Sequence, residues 1–581
     1  MSHLLAISVG PVQEFIAAAR RTRDLWFGSY LLSEISKAVA KSVKDQGGAL
    51  IFPHPDIDLT PRNDRVNVAN VILAALPSGN PRDAANKARQ AAQECWKSFA
   101  DEAFNEASRV IRREIWNDQV DDVIEFYAAW VPHTNENNYQ EDRRKLMRVL
   151  AGRKNLRDFL PARGRAGVPK SSLDGQRESV LKDPSRERWP ERFRARLRIR
   201  QGEQLDVVGV VKRVAEGNRP YPSVSRVAAD PWVRGNQGKS AFQDLRTACE
   251  QLPRSVLHGI DKETYPQFAA FPYEGTAVYR SRHHEWQEEM DAEERLDFRD
   301  IQDALDRLPD PSPYLAVLIA DGDKMGAAIS RLDSADANRS FSQALAGFAD
   351  SARTIIGSCN GVLVYAGGDD VLAFLPVDQC LKCARQLREA FVDCLKSQVP
   401  GNTPTLSVGI AIGHFLENLE DLLEYGREAE KAAKKVEGKD ALAVHLHKRG
   451  GAPIKIASRW EAAPEERLTL YAELMQSQAL SSKLPYDLQR LIEIYEADGW
   501  QSEVRRQAMQ KDALRIIADK QPRAGRRHMA QVRQVVNMLN DVDSLRQFCS
   551  ELLVARLLAE VFGQARRKPM ALQALEVEVT A

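Results

Sequence analysis

A chain of 581 residues exceeds what one hydrophobic core can organise and should divide into about three to five domains. Its 82 basic and 81 acidic residues leave a net charge of +1, which excludes a uniformly basic nucleic-acid binder and requires any basic surface to be local. Seven cysteines, no secretion signal and no apolar run long enough to cross a bilayer argue against a disulfide-stapled secreted protein or a helical membrane protein, and point to the cytoplasm.

Residues 4–9 read as a strand and 12–43 as one long helix with apolar positions three and four apart, joined through Gly10-Pro11. Residues 49–52 and 71–76 read as a hairpin, so the N-terminus follows a strand–helix–strand–strand order. Residues 82–200 are expected to be helical and heavily charged. Within them Arg192, Arg194, Arg196, Arg198 and Arg200 alternate with Phe193, Ala195, Leu197 and Ile199, the period of a strand with one apolar and one guanidinium face. Guanidinium groups spaced by roughly 7 Å can follow a phosphodiester backbone without reading its sequence, so these arginines are candidates for contact with RNA or an acidic partner. Arg153, Lys154 and Arg157 are further candidates of that kind. Residues 204–310 read as a helical middle domain, in which prolines at 220, 222 and 231 make 221–232 an extended connection.

The chemistry concentrates after residue 311. Residues 314–320 form a continuous apolar run that ends in Asp321-Gly-Asp-Lys-Met-Gly326, and a helix over about 328–358 follows. Next comes Gly361-Val-Leu-Val-Tyr-Ala-Gly-Gly-Asp-Asp-Val-Leu-Ala-Phe-Leu-Pro376, two apolar strands joined at Gly367-Gly368 with Asp369 and Asp370 at the turn. Adjacent carboxylates at a hairpin tip repel each other, and oxygen-only ligands suit Mg²⁺ or Mn²⁺. A helix at 378–395, a strand at 406–412, a helix at 419–436 and a strand at 441–446 complete this unit. Residues 72–77 repeat the pattern of 371–376, but Asn70 and Val71 stand where Asp369 and Asp370 stand in the second copy, so the first should not hold a catalytic metal. Cys380-X-X-Cys383 has no second pair nearby, so no structural zinc is expected. After Gly450-Gly451, amphipathic helices at 463–476, 485–495 and 544–562 read as a bundle suited to docking.

The strand ending in Asp321, the Gly-Gly-Asp-Asp hairpin, Ser407-Val-Gly-Ile-Ala and Ala-Lys-Lys-Val-Glu-Gly-Lys together resemble the palm domain shared by GGDEF-type nucleotide cyclases and the large subunit of type III CRISPR effector complexes. Gly10-Pro-Val-Gln-Glu-Phe-Ile, the stretch from Ala19 to Ser33, Pro169-Lys-Ser-Ser, Val211-Lys-Arg213 and the segment 221–232 resemble the III-B subtype of that subunit. The resemblance implies an α+β fold. Residues 1–203 would be a degenerate ferredoxin-like palm with a charged helical insertion, 204–310 an inter-palm helical domain, 311–450 the active palm and 451–581 a helical bundle. It further implies two Mg²⁺ or Mn²⁺ ions on Asp321, Asp369 and Asp370, with Asp323 and the Gly322 carbonyl completing the ligand set. Gly322, Lys324, Gly326, Gly367, Gly368 and Lys434 or Lys435 would receive the nucleotide, and backbone N–H groups of 322–326 its phosphates. The implied activity is conversion of ATP into cyclic oligoadenylate when target RNA binds, within a complex of other subunits and guide RNA. The alternative is a catalytically silent scaffold. None of the 10 histidines precedes an aspartate, so no histidine–aspartate nuclease activity is expected.

Overall fold

In a computed structural model, the chain is described except for residues 1, 134, 157–163, 184–186, 188, 190–196, 198, 200–201, 217–220, 254–255, 285, 287–297, 400, 402, 497–502, 521–528 and 566–581. Two sheets organise it. The first has strands β1 (His3–Gly10), β2 (Ala49–Phe52), β3 (Val71–Leu76) and β4 (Glu125–Pro132) in the order β2-β3-β1-β4, all neighbours antiparallel. The second has β5 (Tyr314–Gly322), β6 (Val362–Gly367), β7 (Asp370–Leu375), β8 (Leu406–His414), β9 (Ala441–Leu446) and β10 (Ile454–Arg459) in the order β10-β9-β8-β5-β7-β6. Its core β8-β5-β7-β6 repeats the strand order of the first sheet, so the α+β fold with two ferredoxin-like units is as expected.

Around the first sheet lie α1 (Gln13–Ala17), α2 (Thr22–Asp45), α3 (Pro81–Ala107), α4 (Arg113–Val120) and α5 (Tyr139–Asn155). The middle region contributes α6 (Val207–Val214), α7 (Val224–Asn236), α8 (Ser240–Gln251) and α9 (Arg299–Asp306). The second sheet carries α10 (Met325–Ser330), α11 (Ala335–Ser358), α12 (Cys380–Leu395) and α13 (Leu419–Lys435). The C-terminal helices are α14 (Pro464–Gln476), α15 (Leu484–Glu496), α16 (Glu503–Lys520), α17 (Met529–Asn537) and α18 (Val542–Gln564). Among the described residues no helix is long and apolar enough to cross a membrane.

Several local expectations are corrected by tertiary contacts. The helix expected over 12–43 is broken at residues 18–21, because the buried ammonium of Lys212 donates to the carbonyls of Phe15 and Ala18 and ends α1 there. Arg213 seals the same corner, donating to Asp24 at 2.7 and 2.6 Å and to Glu203 at 3.1 and 3.0 Å, all three side chains buried. Residues 221–232, expected as an extended connection, contain most of α7. The Ser223 hydroxyl accepts from the Arg226 N–H, and burial of Val227 and Trp232 outweighs the lost hydrogen bond at Pro231. The charged helical stretch 82–200 holds β4, which pairs along the whole of β1. Of the arginine-rich stretch at 192–200 the five arginines lie outside the described residues; Leu197 and Ile199 are buried, and Leu197 is helical rather than extended.

The second sheet also continues past residue 450, since Ile454–Arg459 pairs antiparallel with β9. One apolar core runs from β5, β7 and β8 through α11 and α12 into α14 and α18, so the C-terminal helices are built onto the second palm rather than beside it. Each fully buried Leu, Ile or Phe there contributes about 1.5–3 kcal/mol. The middle region grips the second sheet at two places: the Tyr221 hydroxyl donates to the Leu363 carbonyl of the outer strand β6 at 2.9 Å, and Arg234 pairs with the buried Asp378, between β7 and α12, at 2.7 and 2.9 Å.

Candidate active site

The acids sit where β5 and the β6–β7 hairpin end side by side. Ala320 lies opposite Val371, which brings Asp321 level with Asp370 although 48 positions separate Asp321 from Asp369. Gly367 and Asp370 close the hairpin, with Gly368 at φ +73°, a backbone conformation that favours glycine. Oxygen atoms of Asp321, Asp369 and Asp370 all lie within 4.8 Å of one another, and this is the one group of potential metal-ligating side chains found among the described residues. Gly322 allows the approach, because a Cβ there would stand 2.9 Å from the Asp369 side chain.

Three charges so close are expensive. Withdrawal from solvent, then the charges of Asp369 and Glu430, push Asp370 up to about 7. Burial likewise raises Asp369. Lys434 answers part of this charge: its ammonium contacts Asp321 and lies 3.3 Å from Glu430. A cation therefore already stands at the cluster, and the donor set, three carboxylates with no nitrogen or sulfur, fits Mg²⁺ or Mn²⁺.

Asp323, expected among the metal ligands, stands outside the group formed by the other three acids. It is buried, its carboxylate accepts from the Thr405 hydroxyl at 2.8 Å, the Ser407 hydroxyl at 2.9 Å and the Asp440 N–H at 3.0 Å, and its own N–H donates to the Thr405 carbonyl at 2.7 Å. That residue ties the end of β5 to the start of β8 and to the turn after α13, and its N–H is not free for a phosphate. Gly367 does not leave the space expected of it either: the Tyr365 hydroxyl fills the volume a Cβ would take. Beside Gly326 the space is open. Lys324 is exposed at φ +58° before α10, and Lys435 is exposed while Lys434 faces the acids. Arg153 donates to the Leu156 carbonyl at 2.7 Å and lies over the Tyr127 ring, a local role at the end of α5; Arg157 lies outside the described residues.

Two neighbours of the acids escaped the sequence reading. Glu430 stands one helical turn before Lys434, a spacing that could have revealed it. Tyr365 lies under the tip, its hydroxyl raised by burial and by the charges of Asp370 and Asp369; nothing in the sequence distinguishes it from an ordinary strand tyrosine. Across the cleft, Asn67 of the first palm donates to the Ala366 carbonyl at 3.2 Å.

Known proteins resemble this chain in two segments and in fold. Residues 314–443 match the family described as Cas10/Cmr2, second palm domain, and residues 4–101 match that described as CRISPR-associated protein Cmr2, N-terminal. Both stretches thus resemble Cas10/Cmr2 proteins, and together they span less than half of the chain. It is similar to the CRISPR system Cmr subunit Cmr2 of Pyrococcus furiosus, 34% identical over 202 residues, a match that spans 30% of this chain and 23% of that relative. Two solved structures share the fold. A type III-B Cmr-beta cryo-EM structure in the apo state superposes with a TM-score of 0.65 at 13% identity, covering 97% of this chain and 82% of the other. A Cmr-beta structure bound to cognate target RNA gives 0.63 at 14%, covering 97% and 83%.

Proposed function

We propose that this chain is the large subunit of a type III-B CRISPR RNA-guided effector complex, acting in the cytoplasm with other subunits, guide RNA and target RNA, and that its second palm joins ATP into cyclic oligoadenylate. The observation that carries the reading is the convergence of Asp321, Asp369 and Asp370 from two strands, with Lys434 beside them. Asp321, Asp369 and Asp370 would hold two Mg²⁺ or Mn²⁺ ions, whose chemistry when bound is to acidify a 3′-hydroxyl and to neutralise the triphosphate. Lys434 is placed to exchange its contact with Asp321 for a phosphate oxygen, while Glu430 keeps the ammonium at the site. The open space beside Gly326 admits the phosphates, and Gly322 keeps Asp369 close to the end of β5. Asp323 acts indirectly, holding the β5 end and the turn after α13 in register through Thr405, Ser407 and Asp440.

The test is incubation of the purified complex with labelled ATP, Mg²⁺ or Mn²⁺ and matched target RNA. New 5′–3′-linked oligoadenylates are expected, and their dependence on target RNA reports the regulation. No product with any target would leave the chain as a scaffold of the complex.

A further inference from the structure

The short helix α10 joins the acid-bearing end of β5 to the long helix α11; Asp321 and Gly322 are held by their pairing with Ser407 and Leu406, whereas the far side of the turn, Lys324 to Gly326, takes its place from α10. Alone it is poorly determined. It has six residues, its leading residue Lys324 has a left-handed backbone, and no side chain caps its N-terminus. Met325 and Ala328 anchor one side in the core of the second palm. The other support comes from the first palm. The Arg143 guanidinium of α5 donates to the Ile329 carbonyl at 2.8 Å and to the Asn338 side chain at 3.1 Å, and the Gln140 amide donates to the Ser330 carbonyl at 2.5 Å. The Ile329 carbonyl is thus met by a cation, the favourable sign at a helix C-terminus, and the last carbonyl, Ser330, by a neutral amide. Among the described residues Arg143 makes no ion pair, so its polar contacts are spent on this clamp. Arg144 and Lys145 follow it on α5 and are exposed.

We propose that Arg143, assisted by Gln140, is a positioning residue for the nucleotide site: the first palm sets the placement of the Lys324–Gly326 side of the turn by clamping the C-terminal end of α10. This rests on the nucleotide-binding reading of the second palm. The first palm, which lacks the acids, then governs the acid site through a helix end, and any displacement of α5 reaches that side of the turn through two hydrogen-bonding side chains.

Hydrogen exchange in the full chain without metal or nucleotide tests the clamp independently of turnover, through the α10 amides of Ala327, Ala328, Arg331 and Leu332, which are hydrogen-bonded within or just after the helix. Arg143→Ala should speed their exchange about tenfold or more, equivalent to about 1.4 kcal/mol. Arg143→Lys, which retains charge but reaches fewer acceptors, should fall between. Arg353→Ala, which breaks a separate contact between the palms at the Asp64 and Arg65 carbonyls, should leave these amides unchanged. A fluorescent ATP analogue in the presence of Mn²⁺ should bind Arg143→Ala about three- to tenfold more weakly. Unchanged exchange in Arg143→Ala overturns the proposal, as does an equal response in Arg353→Ala. Faster exchange with unaltered nucleotide affinity reduces the clamp to a structural contact and overturns it too. Should Arg143→Ala fail to fold, Gln140→Ala and Asn338→Ala carry the same test with smaller shifts of the same sign. If the unaltered chain binds no nucleotide, the functional reading fails, and the exchange data alone decide whether the first palm positions α10.

Discussion

The two palm sheets have the same core strand order and the same register at the tip, yet different chemistry. Ile7 lies opposite Ile72 as Ala320 lies opposite Val371, so Ser8 takes the place of Asp321, and Asn70 and Val71 those of Asp369 and Asp370. The first tip closes on itself: the Val9 N–H donates to the Asn70 carbonyl at 2.8 Å and the Asn70 amide donates to the Val9 carbonyl at 3.2 Å. The second keeps three carboxylates within reach of one another and tolerates the repulsion, with Lys434 as counter-ion. The core strand order is common to both, but β2 and β3 are joined by residues 53–70 where β6 and β7 meet in a tight turn, and the three acids occur only in the second. Repulsion of this kind, retained where a neutral alternative exists in the same molecule, makes the second tip the candidate site.

The largest expected effect removes that difference. Asp369→Ala with Asp370→Ala should lower ATP turnover by about a thousandfold or more and leave guide-RNA binding and assembly intact, since the substitutions open no core. Asp321→Asn should lose as much, and combining all three should add little, because residues acting as one unit are not additive. Independent, multiplying losses would separate the β5 end from the hairpin tip and break the single-site reading.

The two aspartates of Asp-Gly-Asp should part company in stability. Asp323→Ala leaves the Thr405 and Ser407 hydroxyls and the Asp440 N–H without their acceptor and should cost about 2–4 kcal/mol in chemical denaturation. Asp321→Asn, which relieves repulsion, should cost little. Equal losses would mean that both are structural.

A smaller effect lies in pH. The folded chain holds Asp370 up to about 7 against 3.8 for an ordinary aspartate, so between those values the folded state binds the extra proton. Stability of the metal-free protein should therefore fall as pH rises from about 4 through 7, by at most ~1 kcal/mol because the carboxylate, though crowded by its neighbours, still meets solvent at the hairpin tip and is screened. Asp370→Asn should remove that slope and raise the metal-free melting temperature at pH 8, whereas Mn²⁺ should bind the unaltered protein more tightly as pH passes through about 7. Thermal scans of both proteins across that range would show it.

The smallest change is expected from copying the tip. Asn70→Asp with Val71→Asp should yield no second site, because Ser8 supplies no third carboxylate and is buried. Mn²⁺-dependent stabilisation of that double variant, read by thermal shift, would show that two acids suffice.

Much of the acid site was legible from residues alone. The hairpin, its Gly-Gly turn, the apolar strand running into Asp321 and the lysine-bearing helix are local patterns, written in alternation, glycine placement and helix-stopping residues, and they appear where expected. The missing acids of the first palm were equally plain. Elements decided by contact were not legible: the break between α1 and α2 depends on Lys212 reaching back from residue 212, α7 forms despite Pro231 because its cap and core partners outweigh the lost bond, and β4 and β10 are given strand identity by the edge they join.

The Asp-Gly-Asp segment shows the division most clearly. By sequence it presents two carboxylates at a two-residue spacing that an extended strand would aim at the same side, so both qualify as metal ligands. Only the tertiary structure separates them. β5 ends at Gly322 and the chain turns through a left-handed Lys324, which sends Asp321 toward the hairpin tip and Asp323 into the hydroxyls of Thr405 and Ser407. Residue type and spacing determine that carboxylates are available here; the direction each one takes is set by where the strand stops and by which donors another strand brings to it.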